Sequence, residues 1–212
     1  MKGANWLMIM MAVALVIVSM KLAGEINVNH MEKNDTEMQG AETLDCILTR
    51  ASVRTYTDQE IADSVIEQLL KAGMAAPSAV NKQPWEFIVI RDAEMRAELA
   101  DTLKNMHMLA SAPLGIVVCG NMDKAMEGEG QAYWIQDCSA ATENMLLAAH
   151  AMGLGAVWCG VYPIQERVDF LKAKLGMPEN VIPLNVVVFG YPKGDTAPKD
   201  KWNPEKVHYD RY

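Results

Sequence analysis

From Thr57 to Phe189 the chain alternates between helical and extended periodicity, and no other feature restricts its fold as strongly. Thr57 followed by Glu60 makes a capping box, and Ile61, Val65, Ile66, Leu69 and Leu70 recur behind it at helical spacing, which predicts a helix from about 58 to 74. Phe87 to Ile90 is apolar and rich in β-branched residues, Asp92 stands where it can cap a helix through Leu103, and Leu114 to Cys119 is a second strand-like run. The longest helix is expected from about Tyr133 to Met152, with Ile135, Ala141, Met145, Ala149 and Met152 on its inner stripe and Gly153 and Gly155 at its end. Ala156 to Val161 reads as a strand, Gln165 to Leu175 as a helix closed by Gly176 and Pro178, and Asn185 to Phe189 as the last clear strand. Helices that alternate with strands predict a sheet covered by helices.

The chain has 212 residues, half of them hydrophobic, enough for one sizeable core. Its net charge of -8 disfavours nucleic acid as a partner, because phosphate binding needs a basic face. Three parts are expected: an apolar signal-like or anchor segment over 1–24, a polar linker over 25–40, and one domain over 41–212. The uncharged run from Trp6 to Met20 has the length of a signal-peptide core and is short for a bilayer span. It predicts an exported or membrane-anchored protein, with a cytoplasmic one following if translation starts at Met31 or Met38. Membrane association, if any, is expected through residues 6–20 alone. The four cysteines, Cys46, Cys119, Cys138 and Cys159, contain no CxxC pair, so metal-ligand spacing is absent, and Cys119, Cys138 and Cys159 read as small buried hydrophobes. The four histidines, His30, His107, His150 and His208, show no partner pattern and read as surface or cap residues.

Basic residues are concentrated locally. Arg50, Ser52 and Arg54 stand at every second position, so in an extended chain they point the same way, two charges and a hydroxyl suited to an anion with several oxygens. Alone, the pattern fits a solvated basic strand entry better than an anion site. One helix later comes Ala76 to Phe87, a Pro-bounded turn in which Ser78, Asn81 and Gln83 offer donors and acceptors to a flat heterocycle, or else bond only to backbone. A third element, Gly153 to Gly160, carries glycines that allow close approach of main chain to a planar ligand. Trp158 within it reads as core.

These three segments, in this order and with these gaps, resemble the nitroreductase family from about residue 44 to the C-terminus. The resemblance implies an α+β fold, a three-layer sandwich whose central, mixed but mostly antiparallel sheet is flanked by helices, with the C-terminal tail exchanged in a homodimer. It implies FMN, held by Arg50, Ala51, Ser52 and Arg54, with one arginine on the phosphate and Arg54 near the N1/O2 edge of the ring. Pro77, Ser78 and Asn81 would line the flavin, partly from the other subunit, and Val157, Trp158, Cys159 and Gly160 would pass near N5 with backbone groups. Lys201, or failing it Lys199, would reach the phosphate from the tail. Gln136 and Asp137 fall in a helix start similar to the family's and receive no role.

The activity implied is transfer of hydride from NADPH or NADH through FMN to a nitroaromatic, quinone or similar electron-poor acceptor, by a ping-pong sequence of two half-reactions. No side-chain acid or base is needed for hydride transfer, so no catalytic residue is named, and no metal is expected. Two other readings stand beside it: the same fold with a different acceptor, as in reductive dehalogenation or flavin breakdown, and a non-catalytic flavin-binding envelope protein. The tail after Gly190, rich in Pro and charge with aromatics at Trp202, Tyr209 and Tyr212, cannot bury itself and fits an embrace of a second subunit.

Overall fold

The computed structural model describes residues 20–21 and 41–212. By its internal contacts the chain divides after Ile47, and the fold below is that of Leu48–Tyr212. Helix α1, residues 41–49, runs across that division.

Four strands form one sheet: β1 (Trp85–Ile90), β2 (Leu114–Asn121), β3 (Gly155–Gly160) and β4 (Val181–Gly190), in the order β1-β2-β4-β3. All three pairings are antiparallel. The parallel component is a single bridge, Ser52 to Ala156, at the outer edge of β3. Successive residues of a strand face opposite sides, and here both sides are buried. Val117 and Cys119 of β2 and Val186 and Val188 of β4 join one core, while Ile116, Val118, Val187 and Phe189 join the other. The first core is covered by helices α3 (Ala93–Thr102) and α5 (Gln165–Leu175) and the 3₁₀ segment Lys104–Ala110, through Leu99, Met106, Leu109, Val168 and Leu171. The second is covered by α2 (Asp63–Met74) and α4 (Trp134–Ala151), through Ile66, Leu69, Ala141 and Met145. A sheet between two helical layers is the three-layer α+β sandwich expected.

The local signals explain most boundaries. Asp92 Oδ1 accepts from Met95 N–H at 2.8 Å and opens α3. Gly153 at φ 76° lets the chain leave α4, and Gly176 at φ 63° closes α5 in the left-handed region. The start of α2 differs from expectation: the helix begins at Asp63, not near 58. Thr57 Oγ1 accepts from Gln59 N–H at 3.4 Å, a local turn, while Thr57 N–H is committed to Tyr191 O at 2.9 Å. That edge pairing holds Thr57 extended and moves the helix start downstream. Strand β4 starts four residues earlier than Asn185 because a register shift between Val118 and Cys119 accommodates Pro183.

The segment 50–57 is tied to the sheet rather than left as a loop. Val53 N–H donates to Ala156 O at 3.0 Å, Lys193 N–H donates to Thr55 O at 3.0 Å, and Tyr56 bridges to Pro192. The buried Tyr56 hydroxyl donates to Val53 O at 2.6 Å and lies 3.3 Å from Val188 O, and burial pushes its pKa well above the usual phenol value. Gly155 is required by this arrangement: a Cβ there would stand 2.7 Å from Val53 Cβ. The close approach read from the sequence as room for a ligand is at Gly155 room for Val53.

The expectation of a membrane anchor is corrected, because no helix among the described residues is long and apolar enough to cross a membrane. The apolar run 6–20, apart from Met20, and the linker 25–40 with His30 lie outside the described residues. The tail after Gly190 carries one 3₁₀ turn, Pro204–Lys206, and leaves Trp202 74%, Tyr209 85% and Tyr212 fully exposed within one chain.

Candidate functional site

Extended backbone at 50–54 and the returning tail at 196–201 enclose a cavity of about 250 Å³. Its lining is Arg50, Ala51, Ser52, Arg54, Thr196, Ala197, Lys199 and Lys201. Four cations and two hydroxyls therefore converge in a chain whose net charge is -8. Arg50 Nε is paired with Glu143 Oε1 of α4 at 3.2 Å, which fixes the arginine from behind. That pair uses Nε and not the two terminal amino groups, the fork suited to phosphate. Among the described residues Arg54 makes a single long bond, 3.5 Å from NH1 to Ser52 O. Such a cavity fits a phosphate monoester; the cationic donor set is the observation that decides it. Among the described residues no cluster of His, Cys, Asp and Glu could hold a metal ion.

Strand β3 carries the site onward from this cavity. Val161 N–H donates to Leu184 O, and alternate residues of an antiparallel ladder turn their polar backbone groups to opposite edges. Ala156, Trp158 and Gly160 therefore face the outer edge, where Ala156 O already receives Val53 N–H. The chain 52–54 runs parallel to β3 from that bridge, which brings Arg54 alongside the Trp158–Cys159 stretch. In keeping with this, burial pushes the Cys159 thiol up to about 11 while the Arg54 charge pulls the other way. Val157 and Cys159 are core residues whose backbone groups face β4, and Trp158 packs, half-buried, against the second core, so of these three only the Trp158 main chain turns to the outer edge. At Gly160 a Cβ would meet nothing within 4 Å, so open space lies beside the end of β3. Gly160 O accepts from Asn105 Nδ2 and from Arg167 NH1, both at 3.0 Å.

The Pro-bounded turn has an unusual backbone. Val80, Asn81 and Gln83 have φ of 42°, 57° and 50°, a region costly for non-glycine residues and retained where surrounding structure enforces it. Ser78 Oγ accepts from Gln83 N–H at 2.9 Å, Asn81 Oδ1 accepts from Gln83 Nε2 at 3.0 Å, and buried Asp137 Oδ1 accepts from Ala79 N–H at 2.8 Å. Ser78 and Asn81 thus support the turn itself, and Pro77, Ser78 and Asn81 do not line the cavity formed by Arg50 and Lys201. Asp137, given no role from the sequence, is the anchor of that turn. An acidic residue in the first turn of a helix carries a helix-dipole explanation, which hid its long-range partner. Asn105 and Arg167 were missed as well, since a single amide and a single guanidinium carry no spacing signal.

Two histidines make contacts outside this cavity. His150 Nε2 lies 2.9 Å from Thr49 Oγ1, and His107 Nδ1 lies 3.3 Å from Lys104 O. Cys119, Cys138 and Cys159 are free and buried, as expected; burial raises all three thiols, Cys138 to about 12.

Comparison with known proteins agrees with this arrangement. The profile of the Nitroreductase family matches residues 47–106 and 100–191. A protein of Archaeoglobus fulgidus named "Putative NADH dehydrogenase/NAD(P)H nitroreductase" is 46% identical over 174 residues, 81% of this chain and 99% of that one. A crystal structure of a protein with the same name from Parabacteroides distasonis matches with a TM-score of 0.76 and 42% identity, covering 81% of this chain and 99% of that one. The structure titled "NADPH:FMN oxidoreductase from Vibrio harveyi complexed with NAD+" matches with a TM-score of 0.73 and 28% identity, covering 80% of this chain and 77% of that one.

Proposed function

The chain belongs to the nitroreductase family, and from that premise we propose that it is an NAD(P)H-dependent FMN oxidoreductase acting on nitroaromatic, quinone or similar electron-poor acceptors in two successive half-reactions. What supports the reading is the cationic cavity, built from two segments far apart in sequence and continuous with the outer edge of β3. When bound, FMN supplies the redox chemistry: it takes hydride from a nicotinamide nucleotide and passes the electrons on. FMN comes to this chain from the name of the Vibrio harveyi relative and from the fit of the cavity to a phosphate.

The chain's own residues bind and orient. Arg50, backed by Glu143, together with Lys201 and Lys199, would hold the phosphate, with Ala51 and Ser52 along the wall of the same cavity. Arg54 would face the ring edge that becomes anionic on reduction, an electrostatic contribution that favours the reduced form. The main chain of Val157 to Gly160 would approach the ring, and the open space at Gly160 leaves room for that approach. Pro77, Ser78 and Asn81 would reach the ligand of a second copy, which makes the functional unit a homodimer and the domain 41–212 its FMN-binding part.

An anaerobic titration tests the proposal. The chain loaded with FMN and freed of excess should keep flavin absorbance and lose it on addition of NADPH or NADH, whereas absence of retained flavin would sink the reading. A panel of acceptors added to the bleached protein then distinguishes nitro compounds and quinones from halogenated substrates.

A further inference from the structure

The geometry points to Asn105 and Arg167 as positioning residues that fix the Gly160 peptide at the reducing end of the site, an inference that rests on the FMN-reductase reading. Gly160 has the freest backbone of any residue type, and it stands where the β3–β4 ladder ends and the turn toward α5 begins. On the β4 side its peptide is held through Val161 N–H, which donates to Leu184 O at 3.0 Å, while the Gly160 carbonyl points to the outer edge. On that edge two further side chains hold the carbonyl itself, Asn105 Nδ2 and Arg167 NH1, each 3.0 Å from Gly160 O. The second bond is charge-assisted, and such bonds are about twice as strong as neutral ones. With the Cys159–Gly160 peptide set by the ladder and the Gly160 carbonyl clamped, both dihedrals of Gly160 are fixed, and its N–H stays on the same edge of β3 that Arg54 flanks, next to open space.

Both donors sit on rigid supports. Asn105 precedes Met106, which is fully buried, and Arg167 precedes Val168 in the first turn of α5, also in the core. Asn105 is not explained by stability alone. Asn105 Oδ1 is buried and finds no donor among the described residues, a cost that an apolar side chain at 105 would not carry. The arrangement resembles the outer layer of a metal site, where a group that touches the ligand is oriented by partners that do not.

The test compares Asn105→Leu, Arg167→Met and Arg167→Lys with the unmodified full-length protein. The flavin-free protein should show a shifted Val161 amide nitrogen resonance in Asn105→Leu and Arg167→Met, since that peptide contains the Gly160 carbonyl, with partial recovery in Arg167→Lys. Loaded with FMN, the first two variants should retain flavin within about threefold of the parent yet be bleached by the nicotinamide nucleotide about tenfold more slowly, the scale of losing an orienting partner. The bound flavin's potential should move in the same two variants and return toward the parent value in Arg167→Lys. Unchanged bleaching and potential with flavin retained would overturn the inference, as would flavin loss in step with a lowered melting temperature. If the unmodified protein itself held no flavin, the underlying functional reading would fall instead, and the Val161 resonance would still report whether the clamp exists.

Discussion

Arg50 and Arg54 occupy the same cavity but differ in their restraint, and this difference is testable one residue at a time. Arg50 is already held by Glu143, whereas Arg54 makes, among the described residues, a single long bond to its own segment. Removing either guanidinium deletes a charge-assisted contact of about 1.5–3 kcal/mol. Arg50→Ala and Arg54→Ala should therefore weaken FMN retention by about ten- to a hundredfold in equilibrium dialysis. Arg54→Ala should in addition lower the potential of whatever flavin remains, if its charge stands toward the ring as proposed and not toward the phosphate. The thiols give a pH prediction of definite sign. Cys159 is raised from 9.0 to about 11 and Cys138 from 9.0 to about 12 by burial, so the folded state keeps its protons where the unfolded state loses them. Their contribution to stability is complete below pH 9 and is lost as pH rises through 11 to 12. In native protein at pH 8, alkylation should leave Cys119, Cys138 and Cys159 unmodified, and denaturant should expose them; mass spectrometry of the labelled peptides checks this.

At the scale of the element, the seat of segment 50–57 depends on two glycines that let it approach the sheet. A Cβ at Gly155 would stand 2.7 Å from Val53 Cβ, and one at Gly190 would stand 2.8 Å from the Tyr56 ring. Gly155→Ala should lift Val53 away from β3, destabilise the fold by about 1–3 kcal/mol and weaken FMN retention, although residue 155 is not itself part of the cavity lining. Thermal melting and dialysis on the same variant measure both effects. The elements themselves were legible wherever one local signal acted alone: the cap at Asp92, the terminator at Gly176, the apolar runs of β2 and β3. They were not legible where a distant partner overrode the signal. Thr57 looks like a helix cap until Tyr191 takes its N–H, and Val80 and Asn81 look like ordinary turn residues until Asp137 holds Ala79 from another helix. The site divides in the same way. Arg50, Ser52 and Arg54 announce themselves by period, whereas Asn105, Asp137 and Arg167 act through backbone groups that no sequence pattern marks.

At the scale of the molecule, the tail supplies Lys199 and Lys201 to a cavity whose other wall is the N-terminal part of the domain. Its aromatic residues Trp202, Tyr209 and Tyr212 remain exposed in one chain, which argues for a second copy to cover them. Light scattering should give the mass of a dimer for the full chain, and the double substitution Trp202→Ala with Tyr209→Ala should shift the population toward monomer and reduce flavin retention with it. A monomer that holds FMN as well as the parent would refute the shared site. The convergence of both walls on one anion has a further consequence. Whatever neutralises those four cations also fastens the tail at 196–201 to the segment at 50–54, so the bound ligand serves as a removable buckle. Cleavage of the tail by a protease should then read out occupancy: fast when the cations repel one another across an empty cavity, slow when a phosphate closes it, and fast again at high salt.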